Sequence, residues 1–428
     1  MKSVSRIALG AVLALSGSAM LFASPADAQR RNRQQAEQAP AATPGQRQFN
    51  PTRQERPLLV ALETAAGATD VNAQNAALAA AEAGVSSADG RYLLGGLQLR
   101  LGSQRSDNAL MSRGVENLIG SGVATVDEMP NFLGVQATVA SALGDHARAE
   151  RALTELTRLQ PNNAQALVNL ATIRSRAGNA AGTVEALRRA IALGKAAGQR
   201  SDENWHKVAV RTAYDSRDPA LRAQSVAIAR DWVAEYPTAE NWRDALLIYR
   251  EVSQPDAQHS LDIYRLARNA GALNGERDFG VFADLLSSGG YPAEAKAVLD
   301  EGVSRRMIQA TEEPFRNLLA VNSGRIASDR AELAGSQRDA LAAATGTPAL
   351  RTADAFYGHG RYADAIALYR AALQKGGVDA NLVNTRLGMA LAAAGNRAEA
   401  EAAFRAVTGP RAELAQFWLL WLSQRPAA

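Results

Sequence analysis

The 428-residue sequence contains no cysteine. Disulfides, thiolate metal sites, cysteine nucleophiles and a lipid-modified N-terminal cysteine are therefore excluded. Aromatic residues make up 5% of the chain and hydrophobic residues 47%. The apolar content is thus carried mainly by Ala and Leu, which are strong helix formers, while β-branched runs are scarce. No H-E-x-x-H, C-x-x-C, G-x-x-x-x-G-K-[ST] or G-x-S-x-G pattern occurs. The four histidines, His146, His206, His259 and His359, include no i, i+4 pair. The sequence predicts no metal site and no cofactor. Carboxylate pairs such as Asp127-Glu128, Glu312-Glu313 and Glu399/Glu401 are plentiful. General acid–base chemistry needs a convergent site that shifts a pKa. Acids at helix starts have a simpler cause in the helix dipole. The chain is expected not to be an enzyme.

Net basic charge is also lacking from most of the chain. The formal charge is +4, and it lies at the N-terminal end. Residues 1–28 carry +1, residues 29–57 carry six Arg and two Glu, and residues 58–428 sum to −1. A near-neutral body argues against nucleic acid as a partner. Residues 1–28 read as a secretory signal peptide. Lys2 and Arg6 precede the mostly apolar run Ile7 to Phe22, and Ala26-Asp27-Ala28 gives a small–x–small cleavage pattern. An uncleaved anchor is the alternative, but Ser16, Gly17 and Ser18 interrupt a run shorter than the roughly 20 residues that span a bilayer. The expectation is cleavage after Ala28, a periplasmic address, and no transmembrane segment in the mature chain. Residues 29–57 are rich in Gln, Arg, Pro and Ala and are expected to form a disordered linker. Their Arg30, Arg31, Arg33, Arg47, Arg53 and Arg56 are either solvated or touch an anionic envelope surface.

The most regular stretch runs from Pro130 to Gly194. Gly144 and Gly178 lie 34 residues apart, each between two helical patterns. Leu133, Ala137, Gly144, Ala149, Leu153 and Pro161 supply large, small, turn, small, large and proline positions in one unit. Leu167, Leu170, Ala171, Gly178-Asn179 and Leu187 supply the next. This pattern resembles the tetratricopeptide repeat family, whose period is 34 residues. Thr183 and Lys195 depart from it, at places where the family prefers Ala and Pro. The resemblance implies an all-α fold, a right-handed solenoid of stacked antiparallel helix pairs. Such units bury their apolar faces only by stacking.

Further helical patterns follow the same scheme. Leu58–Ala66, Asn75–Ala83 and Gly90–Leu101 are expected helices. Trp205, Val208, Ala209 and Thr212, and then Trp242, Ala245, Leu246 and Tyr249, have the spacing of a first repeat helix. Phe279, Phe282 and Ala283 lead a pair with its turn at Gly289-Gly290. Gly360-Arg361-Tyr362 and Gly395-Asn396-Arg397 open two more second helices. The segment from Thr311 breaks the rhythm. It predicts either one helix running to Ala344 or two helices bent near Ser323-Gly324, and the bend is the favoured reading. Leu414, Phe417, Trp418, Trp421 and Leu422 form one face of a last helix, expected to cap the final repeat. Leu419 and Leu420 lie off that face, either partly covered or free for contact. The expected organisation is a signal peptide at 1–28, a basic linker at 29–57, a first solenoid at 58–303, a helical joint at 304–345, and final repeats with a cap at 346–428.

The resemblance implies a groove lined by first helices that holds a protein or peptide. Carried over unit by unit, its facing positions are Thr138, Ser141, Gln165, Asn169, Thr172, Ser175 and Arg176, then Arg351, Asp354, Tyr357 and Arg386. Gly134 and Thr138 occupy places where carboxylate-holding versions carry Lys and Asn, so that clamp is not expected. The reading is a non-catalytic periplasmic scaffold that binds an envelope protein or peptide. The alternative is a helical carbohydrate- or peptidoglycan-active enzyme. The scarcity of aromatics speaks against sugar subsites, and the helical pattern continuing to the last residues leaves no stretch for a lytic domain.

Overall fold

A computed structural model describes residues 47–426, and all their regular structure is helical. The expected signal peptide and residues 29–46 of the linker lie outside the described residues. Twenty α-helices occur among those described, joined mostly by short turns, as expected for the solenoid class. The chain divides into two compact units, the first ending at Trp205 and the second beginning at His206. The division therefore falls inside the expected first solenoid, not at the expected joint.

Unit 1 contains α1 (Glu55–Gly67), α2 (Val71–Gly84), α3 (Ala88–Arg105), α4 (Asn108–Gly120), α5 (Met129–Ala142), α6 (His146–Leu159), α7 (Ala164–Arg176) and α8 (Ala180–Ala196). The turns explain their residues. Gly144 and Gly178 adopt φ of 78° and 75°, open to glycine without a Cβ penalty. Asp145 then accepts from the Arg148 amide, and Asn179 from the Gly182 amide, each at 2.9 Å. These side chains satisfy amide groups that a helix start leaves free. Ala137, Ala149 and Ala171 are buried, as are Leu133, Leu153, Leu167 and Leu187. Thr183 is tolerated at its buried small position because its hydroxyl donates to the Asn179 carbonyl at 2.8 Å. Between α3 and α4 the backbones nearly touch. A Cβ on Gly95 would lie 2.6 Å from the Gly114 carbonyl oxygen.

Residues 47–57 are not the solvated linker that their composition suggests. The Phe49 ring stacks on Tyr92, with centroids 4.8 Å apart. The Arg47 guanidinium covers both rings and pairs with Glu128 at 3.0 Å. Pro51 is buried and Glu55 opens α1. The Glu55 carboxylate accepts from the Ser86 and Ser87 amides, the Ser87 hydroxyl and the Thr52 amide. Burial pushes that carboxyl up, but the bonds from Ser87, Ser86 and Thr52 outweigh it and bring it down to about 2. One aromatic and one carboxylate thus order a stretch that low hydropathy alone leaves free.

Unit 2 is built of α9 (Glu203–Tyr214), α10 (Pro219–Glu235), α11 (Ala239–Ser253), α12 (Ala257–Asn269), α13 (Gly275–Ser288), α14 (Pro292–Ser304), α15 (Phe315–Ala342), α16 (Thr347–Gly358), α17 (Tyr362–Lys375), α18 (Ala380–Ala393), α19 (Arg397–Arg405) and α20 (Ala412–Ser423). Helix α9 starts just before the division. Helix α15 is continuous over 28 residues, with no bend near Ser323-Gly324. Gly324 meets nothing within 4 Å of an added Cβ, so no neighbour demands a break there. Two helices are buried all round rather than along one stripe. Residues 261–267 of α12 and 385–391 of α18 are all buried. Helices of that kind lie inside a structure rather than on its surface. Their polar residues must then find partners indoors.

Candidate protein-binding site

The expected groove positions split between the units and meet different fates. In unit 1 they stay on the surface. Thr138, Gln165, Thr172, Ser175 and Arg176 are exposed, and Ser141 and Asn169 are half-buried. Arg176 on α7 donates to Ser141 on α5 at 3.1 Å. That bond joins two first helices, so their polar residues form one strip. Gln165 donates to Asn169 at 3.0 Å along the same helix. Thr138 and Thr172 return their hydroxyls to Gly134 and Val168 carbonyls, at 2.9 and 3.0 Å. Arg176 forms no ion pair among the described residues. The strip therefore offers a cation, amides and hydroxyls whose present bonds are exposed and exchangeable with a partner's.

In unit 2 the same register is filled, and three residues expected in the groove are interior. Asp354 and Arg386 are each 2% exposed and Tyr357 is 8% exposed; only Arg351 remains on the surface. The reason is α12. Arg386 on α18 reaches Asp262 on α12, with Nε 3.3 Å from Oδ1, and also bonds Asp354 and Gln258. Arg265 holds Glu294 in a two-bond fork at 3.0 and 2.6 Å and pairs with Asp262 at 3.1 Å. Arg411 donates to Asp262 at 2.7 Å. The Tyr369 hydroxyl donates to Asp354 at 2.6 Å, and Tyr291 does so at 3.2 Å. The Arg265 guanidinium also lies over the Tyr357 ring, 4.8 Å from its centre.

The charges of this network balance: Asp262, Glu294 and Asp354 face Arg265, Arg386 and Arg411. Burial pushes the Asp262 carboxyl up, but Arg386, Arg265 and Arg411 outweigh it and hold it below the usual range. Burial, followed by Asp354, pushes the Tyr291 phenol up to about 12. Burial also raises Tyr357 and Tyr369. The arrangement locks helices together. Sequence reasoning missed Asp262, Arg265, Glu294 and Arg411 as partners of Arg386. The available signal was charge at Asp262 and Arg265 interleaved with Leu261, Ile263, Tyr264 and Leu266 in α12.

Three of the four histidines have a side-chain partner, while the buried His146 Nδ1 has none among the described residues. His206 bonds Glu235 at 3.0 Å, His259 bonds Tyr249 at 2.8 Å and His359 bonds Asp329 at 2.6 Å. Among the described residues, no three His, Asp or Glu side chains are placed to hold a metal. Glu128, Glu313, Glu399 and Glu401 each face an arginine rather than another carboxylate. Leu419 and Leu420 are half-buried. No described helix is long and apolar enough to cross a membrane.

A family model described as tetratricopeptide repeat matches residues 135–199 and 350–415. The chain carries tetratricopeptide repeats. The matched regions run from within α5 through α8 in unit 1 and from within α16 into α20 in unit 2. Tetratricopeptide repeats suggest a protein-binding scaffold, and the open strip on α5 and α7 lies within the first matched region. No curated protein matches the sequence. A solved structure of Naa15/Naa10 bound to HypK-THB aligns with 84% of this chain and 64% of its own, at 14% identity and a TM-score of 0.27. A likeness that slight carries no argument about function.

Proposed function

We propose that this tetratricopeptide repeat protein is a non-catalytic scaffold that holds a protein or peptide of the cell envelope on the α5–α7 strip of unit 1. The observation that carries the reading is the Arg176–Ser141 bond, which makes the two first helices one polar surface. Strip residues are exposed or half-buried, whereas their counterparts Asp354, Tyr357 and Arg386 are committed to the interior of unit 2. The envelope address rests on the leader pattern of residues 1–28, with cleavage after Ala28. The basic residues that follow suit an anionic surface.

The test changes Asn169, Thr172 and Arg176 to Ala together and follows both stability and partner recovery by crosslinking in intact cells. Exposed substitutions usually stay within about 0.5 kcal/mol, while each lost polar contact costs roughly 0.5–1.5 kcal/mol of binding. The expected result is unchanged melting with loss of the crosslinked partner. A variant that melts normally and still captures the same partner overturns the reading, as does hydrolysis of peptidoglycan or polysaccharide by the purified protein.

A further inference from the structure

The C-terminal segment 409–424 brings a cation and an apolar face to the inside of unit 2. A short 3-10 turn, Gly409–Arg411, leads into α20 and places the Arg411 guanidinium against buried Asp262. Phe417 then packs between Trp242 and Tyr249 of α11, with centroids 6.0 and 5.7 Å away. Trp418 stacks on Phe404 of α19 at 5.6 Å. Trp421 donates to the Asn269 carbonyl at 3.0 Å, and Gln424 donates to the Val233 carbonyl at 2.9 Å. The segment thus bridges the last repeat to α10, α11 and α12, as well as capping α19.

Two features of the segment bear on how it is held. First, it supplies one charge that the buried network needs. Without Arg411, the acids Asp262, Glu294 and Asp354 face only Arg265 and Arg386, and the floor keeps one net negative charge. Second, the link to α19 is a surface turn in which Thr408, Gly409 and Pro410 are all exposed. An aromatic wall over an undercompensated acid is complementary to an amphipathic helix preceded by a cation.

We propose that this inner face of unit 2 is a receptor for an amphipathic helix led by an arginine, and that residues 409–424 are its tethered occupant. While the tether is seated, unit 2 is closed to other helices. A partner segment with the same cation and the same spacing of large apolar residues competes for the face.

The test uses the full chain with a protease recognition sequence inserted in the exposed 408–410 turn and cut after folding. A fluorescent synthetic peptide of residues 410–426 is then added. The nicked protein is expected to take it up saturably, while the uncut protein takes up none over the same range. A peptide carrying Arg411→Gln is expected to bind at least tenfold more weakly. Uncut full-length chain carrying Arg411→Gln is expected to admit the unmodified peptide. Failure of the nicked protein to exchange its segment, or its aggregation on cutting, makes 409–424 plain core and overturns the proposal. Equal binding of the Arg411→Gln peptide overturns the charge recognition.

Discussion

Arg386 Nε lies 3.3 Å from Asp262 Oδ1 across 124 residues of chain, and both side chains are buried. That pair fixes the interior of unit 2, because it ties the all-round-buried α12 to the all-round-buried α18. Removing one partner strands the other charge indoors, which costs about 3–5 kcal/mol. Arg386→Ala is therefore expected to lower the melting temperature of unit 2 sharply. Arg386→Lys is expected not to rescue it, since an ammonium cannot serve Asp262, Asp354 and Gln258 from one planar fork. Calorimetry of the two variants checks this; a melting profile unchanged in Arg386→Ala contradicts it.

Acid should weaken unit 2 in two stages. Burial, and then Arg411, hold the His259 imidazole below its ordinary value of 6.5, against Asp262 and Asp256. The unfolded chain therefore takes that proton first, and stability declines as pH falls below 6.5. Asp262 acts lower down. Its folded value lies below the ordinary 3.8, so its contribution is complete above 3.8 and is lost as pH falls through the folded value. Melting temperatures measured between pH 7.5 and 5 are expected to drop, and His259→Gln is expected to flatten that drop. An equal slope in the variant contradicts the assignment.

Ala149 tests the register of the repeats in unit 1. Its side chain is fully buried where α6 meets its neighbours. Glutamate there overpacks the contact and buries an unpaired carboxylate, a cost on the order of 3 kcal/mol or more. Circular dichroism is expected to show early loss of helix in Ala149→Glu. A wild-type melting curve contradicts burial at this position.

The export proposal has a direct check. The mature protein is expected to begin at Gln29, and its intact mass after recovery from the periplasm reads the cleavage. A product that starts at Met1 and sediments with membranes contradicts it.

Local structure was legible because its causes are local. Gly144, Asp145, Gly178 and Asn179 announce their turns through left-handed backbone and side-chain capping. The stripe from Leu414 to Leu422 announced a helix with one buried face, and those residues are buried. What escaped was set by distant partners. Asp354 and Arg386 occupy groove positions by register, but Arg386 meets Asp262 of α12, 124 residues away, and Asp354 meets Tyr291, Tyr369 and Arg386 itself. Phe49 escaped because a single aromatic in a polar stretch looks solvated until Tyr92 is placed beside it. Helix α15 escaped because Ser323-Gly324 weakens a helix without ending it, and nothing packs there to force a break.

The central claim is that the α5–α7 strip of unit 1 is the working surface. The most direct measurement places a photo-crosslinking amino acid at Thr172 and, in a second strain, at Arg189, which is exposed on α8. Irradiation of intact cells is expected to give a discrete adduct from Thr172 and none from Arg189, with the Thr172 adduct lost when Arg176 is changed to Ala. No adduct at Thr172, or the same adduct from both positions, contradicts the account.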